Sequence, residues 1–174
     1  LAAILVGLKY NISMEDIKQG VRKFAPSGLR QTLIEYPNYK VIRDCYNASP
    51  ASMKSGLEVL SLTQCQGRRV ACLADMLELG KHSITIHRAI GGYLWDRGVD
   101  LLFAVGKGGI EIAQGAVEAG MDPAKTMLFI DQNDVDSIVK ALASHTNTGD
   151  TLLFKASRGV QLERVVDALE DLYK

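Results

Sequence analysis

The chain has 174 residues, which suits one domain of ordinary size with a short piece of a second. Lys plus Arg is 20 and Asp plus Glu is 20, so the formal net charge is zero. That balance excludes the basic footprint of a nucleic-acid-binding protein and an acidic tail, and no apolar run reaches the roughly 18 residues of a membrane span.

Residues 1–24 read as two helices. Leu1, Ile4, Leu5 and Leu8 repeat at helical spacing, and Asn11 breaks the pattern. Ser13 offers a cap for a second helix through Ile17 and Val21, with Glu15 and Asp16 in its first turn. Ala25-Pro26-Ser27-Gly28 is a breaker, and a domain boundary is expected there, dividing 1–28 from 29–174. Thr32–Tyr36 and Lys40–Asp44 read as strands joined by a turn at Pro37-Asn38. From Pro50 onward helices and strands alternate. Helices are expected at about 50–63, 83–96, 109–119, 134–144 and 160–173. Strands are expected at 69–74, 100–105, 126–130 and 151–155. Apolar strands such as VACLA, LLFAV and TLLFK imply an α/β fold: a Rossmann-like, mostly parallel sheet with helices on both faces. Ligands on such sheets bind beyond the carboxyl ends of the strands.

Cys45, Cys65 and Cys72 are an odd, sparse set without C-x-x-C spacing. They support neither a disulfide framework nor a zinc site and fit a reducing cytosol, so a cytoplasmic location is expected. The opening LAAILVGL lacks the basic flank and cleavage site of a signal peptide and reads as the interior of a longer chain.

The strand ends carry the chemistry. Asp44-Cys45-Tyr46-Asn47-Ala48-Ser49-Pro50 offers a carboxylate for ribose hydroxyls and an amide for a base edge, although Asn47 or Ser49 could equally cap the next helix. Asp75 stands where the next strand ends, either to hold an amine or a water or to serve as a cap. Gly106-Lys107-Gly108-Gly109 looks like a phosphate turn. However, Glu111 occupies the last glycine position of G-x-G-x-x-G, and a plain turn is expected. No G-x-x-x-x-G-K-[ST] occurs. Lys155-Ala156-Ser157-Arg158-Gly159 joins two cations and a hydroxyl near a helix start, a pattern suited to a carboxylate or phosphate. His82, His87 and His145 show no metal spacing.

Taken together, these segments resemble the Mur ligase family, in its D-alanyl-D-alanine-adding branch. Asp44 to Met53 resembles D-x-Y-N-A-N-P-x-S-M, and Leu73 to Gly80 resembles L-G-D-M-L-E-L-G. Lys155 to Gly159 with Glu163-Arg164-Val165-Val166 resembles K-G-S-R-G…E-x-V-V. His87 falls where that branch has a histidine, and Gly28 to Gln31 lies near its G-R-x-Q junction. Ser49, Ala74 and Ala156 depart from the pattern, as does Arg43, which precedes Asp44.

The resemblance implies the C-terminal domain of an ATP-dependent ligase. That ligase adds D-alanyl-D-alanine to UDP-N-acetylmuramoyl-tripeptide in peptidoglycan synthesis. Residues 1–28 would be the last two helices of its central domain. ATP would be met by Arg30, Asp44, Tyr46 and Asn47, and the dipeptide by Asp75, Lys155, Ser157 and Arg158. The phosphate-binding loop and Mg2+ sites would belong to a missing central domain and the UDP end to a missing N-terminal domain, so the chain alone is expected to be inactive and to bind no metal. A Mur-type ligase with another acceptor, or a non-catalytic flavodoxin-like nucleotide-binding module, is the alternative.

Overall fold

A computed structural model describes residues 2–24 and 30–172. The boundary expected at Gly28, with Pro26 and Leu29 beside it, lies outside the described residues. Two helices come first, α1 (Ala2–Lys9) and α2 (Met14–Arg22). Asn11 turns between them at a φ of 57°, a left-handed angle that Asn tolerates. Ser13 then caps α2, accepting the Asp16 N–H at 3.1 Å. Ile17 is buried against Gly7, whereas Val6, Val21 and Phe24 stay exposed around an apolar groove of about 610 Å3.

The rest of the chain builds a six-stranded sheet. Its strands are β1 (Thr32–Glu35), β2 (Lys40–Asp44), β3 (Arg69–Leu73), β4 (Leu101–Val105), β5 (Thr126–Phe129) and β6 (Thr151–Lys155), in the order β1-β2-β6-β3-β4-β5. β1 and β2 form an antiparallel hairpin, and the other pairings are parallel. Helices α3 (Pro50–Leu62), α4 (Ser83–Asp96), α5 (Gly106–Glu118), α6 (Val135–His145) and α7 (Glu163–Asp171) cover it.

Successive strand residues point to opposite faces, so each parallel strand feeds two cores. Ile42, Ala71, Leu73, Leu102 and Leu153 pack under α3, α4 and α5 through Leu57, Ile90, Leu94 and Ile112. Val41, Val70, Phe103, Leu152 and Phe154 pack under α6 and α7 through Ile138, Leu142, Val165 and Leu169. Both faces are therefore apolar, as the sequence leads one to expect for buried parallel strands. α4 and α5 cross closely, because a Cβ on Gly91 would stand 2.0 Å from the Ile112 carbonyl oxygen, and one on Gly115 2.1 Å from that of Arg88.

Two helix starts differ from the sequence reading by more than a residue. α5 begins at Gly106 rather than Gly109, so the glycine-rich segment is the helix's first turn and not a plain turn. α7 begins at Glu163, after a 3-10 turn at Arg158–Val160 that ends with Gln161 at a left-handed φ of 57°. Strand order decides where the site forms. β6 is last in sequence but lies between β2 and β3, so the segments leaving all three strands meet at one carboxyl edge.

Candidate functional site

Asp44 and Lys155 are register partners at the ends of β2 and β6. The Lys155 ammonium lies 2.5 Å from Asp44 Oδ2 and also donates to the Asn47 carbonyl at 3.0 Å. Lys155 is only 1% exposed, and a buried ammonium is tolerable only with such partners. The other Asp44 oxygen, Oδ1, accepts the Gln31 backbone N–H at 3.4 Å. The sequence reading placed Asp44 and Lys155 against different ligands; the fold joins them to each other.

Above this pair opens a pocket of about 400 Å3, lined by Arg30, Gln31, Asp44, Tyr46, Asn47 and Lys155 among others. The Arg30 guanidinium carbon sits 4.0 Å from the Tyr46 ring centroid, a cation–π stack. The residues expected to meet ATP thus line one cavity. It offers a flat cationic-aromatic wall, a carboxylate and an exposed amide.

A second pocket, of about 340 Å3, lies on the other side of Asn47 and is lined by Asn47, Ser49, Leu77, Glu78, Ser157 and Arg158 among others. The Arg158 side chain is 59% exposed and pairs with Glu163 at 2.8 Å. Ser157 is buried and binds inward. Its hydroxyl accepts the Leu77 N–H at 2.9 Å and donates to the Ala48 carbonyl at 3.4 Å, and its N–H reaches the Asp75 carbonyl at 3.1 Å. It ties together the segments that leave β2 and β3.

Asp75 turns away from both pockets. Its Oδ1 accepts the backbone N–H of Gly108 at 2.6 Å and of Gly109 at 3.3 Å, so it fills the amides of α5's first turn, where a carboxylate complements the helix dipole. The cap considered for Asp75 is therefore real, but it serves a helix some thirty residues downstream rather than the adjacent turn. Gly106, at a φ of 77°, makes the entry. His87, buried on α4, accepts the Met76 N–H at Nε2, which leaves Nδ1 to donate to the Ser83 carbonyl.

The departures from the family pattern fit this geometry. Ser49 caps α3 in a capping box with Ser52, a role that Asn and Ser share. Ala74 and Ala156 are buried and neither has a positive φ, so neither position needs glycine. Sequence reasoning missed Gln31, whose contribution is a backbone N–H, and the inward bonds of Ser157. The Asp75–Gly108 contact had a usable signal: a carboxylate and a glycine pair at the ends of two apolar strands. Among the described residues no group of three or more His, Cys, Asp or Glu could hold a metal ion.

The family model described as "Mur ligase, glutamate ligase domain" matches residues 29–158. The chain belongs to the Mur ligase family. The UDP-N-acetylmuramoyl-tripeptide–D-alanyl-D-alanine ligase of Bacillus subtilis is 34% identical over 170 residues, which are 97% of this chain and 36% of that protein. Its counterpart in Mycobacterium tuberculosis is 31% identical over 185 residues, covering 97% of this chain and 36% of the relative. Among solved structures, MurF from Acinetobacter baumannii superposes with a TM-score of 0.80 at 27% identity, over 95% of this chain and 35% of that one. MurF from Thermotoga maritima in complex with ADP gives 0.77 at 26% identity, over 97% and 36%. This Mur ligase chain thus spans about a third of the length of the relatives it matches. A pseudomurein peptide ligase from Methanothermus fervidus, at 17% identity and a TM-score of 0.64, shares the fold alone. No helix among the described residues is long and apolar enough to cross a membrane.

Proposed function

We propose that this Mur ligase domain works within a longer cytoplasmic protein that uses ATP to join D-alanyl-D-alanine to UDP-N-acetylmuramoyl-tripeptide in peptidoglycan synthesis. The observation that carries the reading is the pair of pockets that share Asn47 as a wall at one sheet edge. One suits a nucleotide and the other a small carboxylate. In the first, Asp44 Oδ1 accepts from ribose hydroxyls, Tyr46 and Arg30 supply a flat surface, and Asn47 offers donor and acceptor to a base edge. In the second, Arg158 holds the dipeptide carboxylate, for which a guanidinium gives bidentate geometry. Lys155, Ser157 and Asp75 hold the surrounding segments in place.

The chemistry assigned to the whole protein is attack of the dipeptide amine on an acyl phosphate made from ATP. The domain's contribution is positional. It brings a neutral amine beside the nucleotide and covers the intermediate, which water would otherwise hydrolyse. The phosphate-binding loop, the Mg2+ ligands and the contacts to the UDP end are assigned to the remaining N-terminal and central domains. The same remainder is proposed to cover the apolar face of α1 and α2, with residues 1–28 closing the central domain.

Two substitutions in the full-length ligase carrying this chain test the assignment. Asp44→Asn should raise KM for ATP by about tenfold, the worth of a charge-assisted hydrogen bond, and raise KM for the dipeptide far less. Arg158→Ala should do the reverse. Replacing the dipeptide by its C-terminal amide should then weaken the parent enzyme but not the Arg158→Ala enzyme further. An amide penalty that persists undiminished in Arg158→Ala would place the carboxylate elsewhere.

A further inference from the structure

We infer that Lys155 is a positioning residue that sets both pockets at once, acting through the Asn47 wall between them; this rests on the two-pocket reading above. Its side chain is 1% exposed, so it does not reach out toward a ligand as Arg158 does. Both of its bonds run to the segment leaving β2, one to Asp44 Oδ2 at 2.5 Å and one to the Asn47 carbonyl at 3.0 Å. The first leaves Asp44 Oδ1 turned toward Gln31 and the nucleotide pocket. The second fixes the backbone of Asn47, which lines both cavities.

Ser157 completes the arrangement. It lies two residues beyond Lys155 and donates to the next carbonyl, that of Ala48, at 3.4 Å. Two consecutive carbonyls of an irregular segment are thus held by two side chains of one strand end. Backbone oxygens at a buried edge need such partners, and without them the segment has no ladder to keep its shape. The same strand end grips the segment leaving β3, through the Leu77 N–H on Ser157 and the Ala74 N–H on the Lys155 carbonyl. Nucleotide wall and acceptor wall therefore hang from residues 155–157.

The Lys155 stem runs past α3 at Gly56. A Cβ there would stand 3.0 Å from Lys155 Cδ and 3.6 Å from Cε, so the methyl-free helix face leaves the lane along which the ammonium reaches Asp44. Gly56 lies outside both pocket linings, which makes it a second handle on the same ammonium.

The test uses the full-length ligase with Lys155→Met and Gly56→Ala, read by KM for ATP, KM for the dipeptide, and amide hydrogen exchange over residues 44–49. Lys155→Met should raise both KM values by about tenfold and speed exchange in that segment. Gly56→Ala should give the same double signature at roughly threefold, since it displaces the ammonium by only tenths of an ångström. Ala is favoured over Gly in a helix, so this second enzyme keeps its fold and decides the matter even where Lys155→Met does not fold. Lys155→Met raising the dipeptide KM alone, with exchange unchanged, would make the ammonium a direct carboxylate ligand and overturn the inference. Unchanged KM values in Gly56→Ala would overturn it too. If Asp44→Asn and Arg158→Ala both leave KM unchanged, the pocket reading is what fails, and the exchange rates still report whether Lys155 pins the segment.

Discussion

His87 holds the backbone of Met76 across the turn between β3 and α4, its Nε2 accepting the Met76 N–H at 2.9 Å. This bond anchors the segment whose next residue, Leu77, is gripped by Ser157. Gly108 of α5 makes room for the ring, since a Cβ there would lie 2.3 Å from Nε2. His87→Ala leaves a buried N–H without a partner and a void beside it. The cost should be about 2–3 kcal/mol in urea unfolding, within the range for an unsatisfied buried donor, with the slope of the transition unchanged.

Two neighbouring glycines of α4 should respond with opposite signs. Ala in place of Gly ordinarily stabilises a helix interior by about 0.5–1 kcal/mol. Gly92→Ala should show that gain, because a Cβ there meets only Ala119 Cβ at 3.9 Å. Gly91→Ala should destabilise by about 3 kcal/mol, because its Cβ would meet α5 backbone at 2.0 Å and force the helices apart. Thermal melts of the two variants side by side would check this. Equal shifts would mean that the α4–α5 crossing is looser than described.

Thiol titration should separate the cysteines. Burial pushes the Cys45 thiol up to about 12, with the Glu163 charge adding to the effect. Burial likewise raises Cys72 well above the ordinary range, with Cys45 contributing. Cys65 is only half-buried. At pH 8 the native chain should therefore react with a thiol reagent at Cys65 alone, and at all three cysteines once unfolded.

The same shifts give a pH dependence. A thiol whose folded value lies above its unfolded value contributes fully below the unfolded value and loses that contribution as pH rises. The unfolded Cys45 thiol gives up its proton near its ordinary value of 9.0, and the folded one near 12. Unfolding free energy should thus fall from about pH 9 upward, by about 1.4 kcal/mol per pH unit for each of Cys45 and Cys72. A flat profile between pH 9 and 11 would contradict the burial of both thiols.

The 174-residue chain by itself should neither hydrolyse ATP nor ligate peptides, since its sequence holds no phosphate-binding loop of the G-x-x-x-x-G-K-[ST] kind. Coupled detection of ADP from the purified chain checks this. Turnover that depends on Mg2+ would require catalytic groups that have been given no role here.

The sequence by itself determined everything that is written in local periodicity and local chemistry. Successive strand residues such as Val41 and Ile42, or Leu152 and Leu153, are both apolar, which demands helices on both faces. Ser13 and Ser49 mark helix starts because a hydroxyl satisfies amides three residues on. The residues at the strand ends carried the family resemblance. Tertiary structure alone decided what those residues touch. Asp44 and Lys155 meet across 111 positions only because β6 inserts between β2 and β3, and nothing in either strand's own pattern specifies its neighbour. Asp75 looks like a free carboxylate until the end of β4 brings the amides of Gly108 and Gly109 to it. A charge at a strand end reads in sequence as a hand held out to a ligand. Whether another part of the chain takes that hand depends on strand order, because a buried charge needs a partner and the long-range fold selects it.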